Sequence, residues 1–138
     1  MNLAESLAGV NWLAVVVSTV IAFVIGGIWY SKALFGSVWL EEVGLTEEAT
    51  KSANMPITFA GTFILQFLAI TALAVLAGAE STWQSGLQIG LLIGVFWIAT
   101  AYGITYLFEQ RTMRLFLINA GYNVVLFAIA GTLVGFWH

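Results

Sequence analysis

The sequence predicts an all-α integral membrane protein, a bundle of four transmembrane helices with a short acidic helical connection between the first two spans. Of its 138 residues, 61% are hydrophobic and only 8% are charged, and the mean hydropathy is +0.99. Soluble domains average roughly 25% charged and 45–50% apolar residues. A soluble domain of this length has too little interior to hide so much apolar surface, so the solvent of this chain must be lipid.

Four apolar runs have the length of a membrane span, which is about 20 residues at a rise of ~1.5 Å per residue. The predicted spans are residues 11–31, 57–78, 84–108 and 115–136, and residues 32–56 connect the first two. The runs are continuous rather than alternating, which favours helices over β-strands, since lipid requires backbone groups to be bonded internally. Little length is left over, so we expect residues 1–138 to form a single transmembrane domain.

The basic residues predict the orientation of the spans. Lys32 and Lys51 lie in the first connection, Arg111 and Arg114 lie in the third, and neither lysine nor arginine occurs elsewhere. By the positive-inside rule both connections are cytoplasmic and both termini are outside. The absence of a positive charge before the first apolar run also predicts a permanent span rather than a cleaved signal peptide.

The first connection predicts a short acidic helix on the cytoplasmic side. Thr46 is a suitable N-cap, and Glu47 and Glu48 in the first turn favour the helix dipole. Pro56 suits the opening turn of the second span, where its missing N–H is not needed.

Small residues recur at four-residue steps in three of the spans, which is typical of helices that pack closely in lipid. They are Gly26 with Ser18 and Ala22 in the first span, Gly86, Gly90 and Gly94 in the third, and Gly131 and Gly135 in the fourth. These faces can pack within one chain or between subunits. Four helices have few ways to bury three such faces at once, so we expect a homo-oligomer.

Polar residues form three stripes towards the cytoplasmic half of the predicted bundle. They are Thr58, Thr62 and Gln66 in the second span, Tyr102, Tyr106 and Glu109 in the third, and Asn119, Tyr122 and Asn123 in the fourth. If the stripes face each other, they line an intramembrane pocket open to the cytoplasm. Alternatively they only bond neighbouring helices, at ~0.6 kcal/mol each on average. Glu109 can pair with Arg111 or Arg114 in either case.

Several classes of function lack the residues they need. The chain has no cysteine, and its one histidine is His138, so neither a metal site nor a cofactor is expected. A net charge of -3 without a basic patch argues against nucleic acid as a partner. No nucleophile has an adjacent base and no phosphate-binding loop is present, so we do not expect an enzyme. Membrane lipids are the expected partners, and any small-molecule ligand is undetermined.

Two stretches resemble the signature sequences of a bacterial family catalogued as domain of unknown function 1761. They are "NWLAVVVSTVIAFVIGGIWYSKALFG" (11–36) and "LFEQRTMRLFLINAGYNVVLF" (107–127), and the acidic "GLTEEA" of the first connection agrees. The resemblance implies a four-span integral membrane protein of about this length, and we expect it to lie in a bacterial-type cytoplasmic membrane. It implies no activity and assigns no functional residue beyond a motif containing Asn119, Gly121 and Tyr122.

Two functions follow as hypotheses. The first is a structural or interaction protein of the membrane, oligomeric or accessory to another protein. The alternative is a small transporter or channel that binds a small polar solute or ion in the cytoplasm-facing pocket.

Overall fold

The computed structural model describes all residues, 1–138, and contains helices and connections but no β-strand. In chain order the helices are α1 (Leu3–Ala8), α2 (Trp12–Trp29), α3 (Gly36–Val43), α4 (Glu47–Lys51), α5 (Met55–Ala77), α6 (Trp83–Leu92), α7 (Thr100–Glu109) and α8 (Met113–Phe136). A π-helical segment, Ile93–Ala99, joins α6 to α7 without a break, so these three pieces make one long helix.

Four helices are long and apolar enough to cross a membrane: Trp12–Trp29, Met55–Ala77, Trp83–Glu109 and Met113–Phe136. Their bounds differ from those of the predicted spans by at most two residues. The four helices run alternately up and down. We call the end that carries the connections at 30–54 and 110–112 the basic end, and the end that carries the connection at 78–82 the terminal end.

A polar side chain caps the start of each membrane-crossing helix. Asn11, Asn54 and Thr112 accept from the backbone N–H three residues on, at 3.1, 3.2 and 3.2 Å. Thr82 forms a reciprocal capping box with Ser85. The first N–H groups of a helix have no partner within the helix, and an unpaired N–H is costly near lipid. These caps therefore let each span begin at the membrane boundary.

Helix α8 is the centre of the bundle. It packs against α2, α5, α6, α7 and the π-helical segment, and it contributes more buried residues than any other helix. The buried core is an apolar cluster on the faces that α2, α5 and α8 turn towards each other, and it includes Val15, Ala22, Ile70, Leu73, Leu126 and Phe127. The outward faces of the bundle are apolar as well, as expected where the solvent is lipid.

A glycine seam joins α6 to α8. Any side chain added at Gly86, Gly90 or Gly131 would overlap the backbone of the facing helix. At Gly94 an added Cβ would lie 3.0 Å from the Cα of Val124. The predicted packing faces of the third and fourth spans thus meet each other within one chain.

In the long third span, the packing face of the helix changes at the π-helical segment. A π-helical turn takes more residues than an α-helical turn, so the residues after it face a different direction. Before the segment, α6 packs closely on α8 and also touches α5; beyond it, α7 lies against α8 and has no comparable packing with α5. Helices α5 and α7 are therefore separated at the basic end.

The connection between α2 and α5 folds back under the basic end. Gly36 permits the tight turn before α3, because a side chain there would collide with the backbone oxygens of Tyr30 and Ser31. Glu42 of α3 accepts a hydrogen bond from the Thr112 hydroxyl and lies 3.5 Å from Arg114 Nη1. These contacts fasten α3 to the start of α8.

Candidate functional site: a cavity at the basic end

A cavity of about 1200 Å³ opens at the basic end of the bundle, where α5 and α7 separate. Helices α2, α3, α4, α5, α7 and α8 all contribute to its wall. The residues that line it include Tyr30, Ser31, Lys32, Trp39, Glu47, Thr50, Lys51, Thr58, Phe59, Thr62, Gln66, Tyr102, Asn119 and Tyr122. The cavity thus has charged groups at its mouth and aromatic, hydroxyl and amide groups further in.

Tyr122 joins three helices at the inner wall. Its hydroxyl accepts a hydrogen bond from Gln66 Nε2 at 2.8 Å and donates to the backbone oxygen of Ala22 at 2.9 Å. Gly26, one turn after Ala22, makes room for this contact, because a Cβ there would lie 2.9 Å from the tyrosine oxygen. The small residues of α2 therefore admit the ring of a tyrosine from α8.

Asn119 uses both ends of its side-chain amide to join α2 to α7 through α8. Its Oδ1 accepts from the hydroxyl of Tyr30 at 2.7 Å, and its Nδ2 donates to the hydroxyl of Tyr106 at 2.7 Å. Because Tyr30 directly follows α2 and Tyr106 belongs to α7, this one residue ties the end of α2 to α7.

Aromatic rings cover the α2 side of the cavity. The Tyr30 ring lies 5.5 Å from that of Tyr122 and 5.8 Å from that of Trp39, both edge to face. Trp29 is held by a hydrogen bond from its Nε1 to the backbone oxygen of Ile118, at 3.0 Å. Edge-to-face pairs add about 0.5–1.5 kcal/mol beyond the burial of the rings, so these contacts stabilise the wall.

The α5 side of the cavity presents oxygen atoms. Thr58 and Thr62 donate their hydroxyl protons to the backbone oxygens of Asn54 and Thr58, at 2.9 and 2.7 Å. Gln66 Oε1 is buried and has no hydrogen-bond donor. A hydroxyl that donates to its own helix keeps its lone pairs free, so this wall is a column of acceptors.

An ion pair stands at the mouth of the cavity. Lys32 Nζ contacts Glu47 Oε1, and both side chains are exposed. The hydrogen bond from Lys32, followed by the lysine charge, lowers the pKa of Glu47 below its ordinary value. Lys51 also lies at the mouth. The contact links the end of α2 to α4.

The lowered pKa of Glu47 leads to a prediction. A depressed carboxyl pKa contributes stability above its unfolded value, and that contribution is lost as the pH falls through the folded value. In an NMR titration of the side-chain carboxyl carbon we expect Glu47 to protonate at lower pH than a glutamate in an unfolded peptide. In Lys32→Gln the Glu47 midpoint should rise towards the ordinary glutamate value. An unchanged midpoint would mean that Lys32 is not the cause.

The structure brings some of the predicted site residues together and separates others. Gln66, Tyr102, Asn119 and Tyr122 line the cavity. Tyr106 reaches it only through its bond to Asn119, and Asn123 donates to the backbone oxygen of Asn119 on its own helix, at 2.8 Å. Glu109 is exposed and lies 3.5 Å from Arg111, while Arg114 pairs with Glu42 rather than with Glu109.

Sequence reasoning missed Tyr30 and Trp39 as cavity residues. Tyr30 is placed by its hydrogen bond to Asn119 and by the turn at Gly36, neither of which has a periodic signal. The only available signal was its position within the "IWYSKALFG" signature. An aromatic residue at a span end equally fits the aromatic belt, so that signal did not select Tyr30.

The inner cavity presents groups that can bind a polar molecule. No three residues of the metal-ligating types come together in the structure. The described donors and acceptors of the inner cavity are neutral amides, hydroxyls and an indole. Such groups orient a molecule by hydrogen bonds and ring contacts, with the charged groups confined to the mouth.

Comparisons with known proteins identify a family and assign no activity. No curated protein and no solved structure matches the chain. Residues 13–135 match the family described as "Protein of unknown function (DUF1761)". That match covers most of the chain and all but the end residues of the four membrane-crossing helices, and the protein therefore belongs to the DUF1761 family.

Proposed function

We propose that this protein is a membrane-embedded carrier that binds a small molecule in the cavity at its basic end, with the mouth of the cavity facing the cytoplasm. The orientation is supported by Lys32, Lys51, Arg111 and Arg114, which all lie at that end. In a bacterial cell the corresponding membrane is the cytoplasmic membrane.

The size of the cavity carries the proposal. Ligand pockets are typically ~300–1000 Å³. The cavity is open rather than enclosed, and its volume of about 1200 Å³ is large enough to admit a small molecule. The same size favours a molecule over a single ion, and no carboxylate lies in the wall deeper than Glu47.

The hydrogen bonds of Asn119 and Tyr122 support a structural role for these two residues. Each joins neighbouring helices directly, as the first sequence hypothesis expected of polar groups in a membrane. In our proposal they hold α2, α5 and α7 around the cavity, and binding falls to the remaining wall groups.

An oligomeric or accessory role is the second candidate function. The glycine seam does not favour it, because Gly86, Gly90 and Gly131 pack within one chain. The exposed residues Leu107 and Phe108 of α7 offer a large apolar surface near the basic end, which suits lipid or a neighbouring membrane helix equally.

Access to the cavity can be tested by cysteine labelling, since the chain has no cysteine of its own. We expect Thr62→Cys, inside the cavity, to react with a membrane-impermeant maleimide only from the cytoplasmic face of membrane vesicles. Thr71→Cys is the matched control: Thr71 lies on the same helix and also donates to its own backbone, but it is not part of the cavity wall. It should react slowly from both faces.

Labelling from the two faces of the membrane tests the orientation and the access of water to the cavity separately. Fast labelling of Thr62→Cys from the outer face would show that the proposed orientation is wrong, but that the cavity is accessible to water. Equal and slow labelling of both variants would mean that water does not reach the cavity, and the proposed function would fail.

A further inference from the structure

We infer that the ligand of this cavity is an amphipathic molecule whose head group donates hydrogen bonds, through hydroxyls or an amine, and whose body is apolar. This inference rests on the proposed binding function and assigns the chemical class of the molecule bound.

The column of acceptors on α5 determines the head group. Thr58, Thr62 and Gln66 follow each other at four-residue steps, so their oxygens are spaced about 6 Å apart along the helix axis. Both threonine protons are already donated to the helix backbone. A ligand that meets this wall without disturbing the helix must therefore supply the hydrogens.

Gln66 is the deepest and most selective of these groups. Its Nε2 is held by Tyr122, which leaves Oε1 as the free end of the amide, buried and without a donor. A buried acceptor without a partner destabilises a protein until a donor reaches it. The last torsion of a glutamine side chain is soft, so Oε1 can turn towards a donor in the cavity, and because Nε2 is fixed to the same carbon its hydrogen bond to Tyr122 lengthens as it does so.

Hydroxyls beside the mouth repeat the same arrangement. Thr50 and Ser31 both line the cavity, and both donate to backbone oxygens of their own segments, at 2.7 Å each. Their remaining capacity is again that of acceptors. The wall thus offers a series of oxygens from the mouth to Gln66.

We infer an apolar body for the ligand from the aromatic wall that faces α5 and from the gap between α5 and α7. Tyr30 and Trp39 cover one side with rings, and Phe59 of α5 is half exposed beside the cavity. Helices α5 and α7 do not pack together at this end, and the cavity is open rather than enclosed. A molecule with an apolar chain can place its head among the oxygens and leave its chain along this gap.

A binding series with one chain length tests the head group. The probes are 1,2-dodecanediol, 1,2-dimethoxydodecane and dodecanoate, which share the twelve-carbon chain and differ in hydrogen-bond donors and charge. Binding to the purified full chain is measured by native mass spectrometry from detergent. We expect the diol to bind at least 5-fold more tightly than the dimethoxy compound, the equivalent of one hydrogen bond of about 1 kcal/mol.

Substitutions in α5 test whether the preference for the diol depends on the column of acceptors. Thr62→Val should weaken diol binding about 5-fold, since it removes one acceptor. Thr71→Val, the matched control outside the cavity, should leave it within about 2-fold. Neither variant should change binding of the dimethoxy compound.

Each other outcome overturns the inference in a recognisable way. Equal binding of the diol and the dimethoxy compound would exclude a donor-based head group. Dodecanoate binding as tight as that of the diol would place the head at Lys32 and Lys51 instead. If none of the probes binds although Thr62→Cys is labelled from the cytoplasm, the inferred ligand class is wrong. If none of the probes binds and Thr62→Cys is not labelled, the proposed function fails as well.

Discussion

Replacing Gly131 with alanine is expected to lower the free energy of unfolding by about 3 kcal/mol, at the upper end of the range for overpacking. The new Cβ would overlap the backbone oxygen of Gly86 and lie 3.1 Å from the Cα of Gly90. Both neighbours are backbone atoms, which cannot rotate away as a side chain can, so α6 and α8 must separate along the seam. Unfolding in mixed detergent micelles, followed by circular dichroism, measures the change.

Gly61→Ala is the matched control. Gly61 lies inside α5, and a Cβ there meets nothing within 4 Å. Alanine is favoured over glycine inside a helix by up to ~1 kcal/mol, so this variant should be as stable as the unmodified protein or slightly more so. Equal stability of the Gly131 and Gly61 variants would mean that α6 and α8 do not approach as closely as described.

Asn119→Ala is expected to lower the free energy of unfolding by about 2 kcal/mol, which corresponds to two lost hydrogen bonds. The substitution removes the acceptor of Tyr30 and the donor to Tyr106 at once. Both tyrosine hydroxyls then have to find new partners near lipid, and the link from α2 to α7 is lost. The same unfolding measurement applies.

Asn123 provides the control for Asn119, since it is the same residue type one turn later on α8. Its side chain donates to the backbone of its own helix, at Asn119 O, and has one contact with another helix, at Tyr102 of α7. Asn123→Ala should therefore cost about 1 kcal/mol, roughly half the loss expected for Asn119→Ala. If the two variants lose equal stability, the Tyr30–Asn119–Tyr106 link is not what joins the helices.

The approximate position of the spans was predictable because it depends on local composition. A run of about 20 apolar residues has one stable arrangement in a bilayer, the helix, whatever the rest of the chain does. Four such runs in 138 residues left no other fold class open. The caps at Asn11, Asn54, Thr82 and Thr112 fix where each helix begins, and they too act within three residues of sequence.

The polar stripes were a less complete guide to the site. Gln66, Asn119 and Tyr122 were predicted from their spacing, and they do lie on the cavity. Spacing along one helix says which residues share a face, but not which other helix that face meets. Glu109 shares its stripe with Tyr106 in the sequence, yet the end of α7 carries it to the surface beside Arg111.

By itself the sequence determined the composition-driven properties: four membrane-crossing helices, their small-residue faces and the gathering of all four basic residues at one end. Only the tertiary structure decided that α6 and α8 share the glycine seam, that the π-helical segment separates α7 from α5, and that Tyr30 joins the site. The first set depends on interactions with solvent and within single helices. The second depends on contacts between residues as far as 89 positions apart, such as Tyr30 and Asn119, which no local pattern encodes.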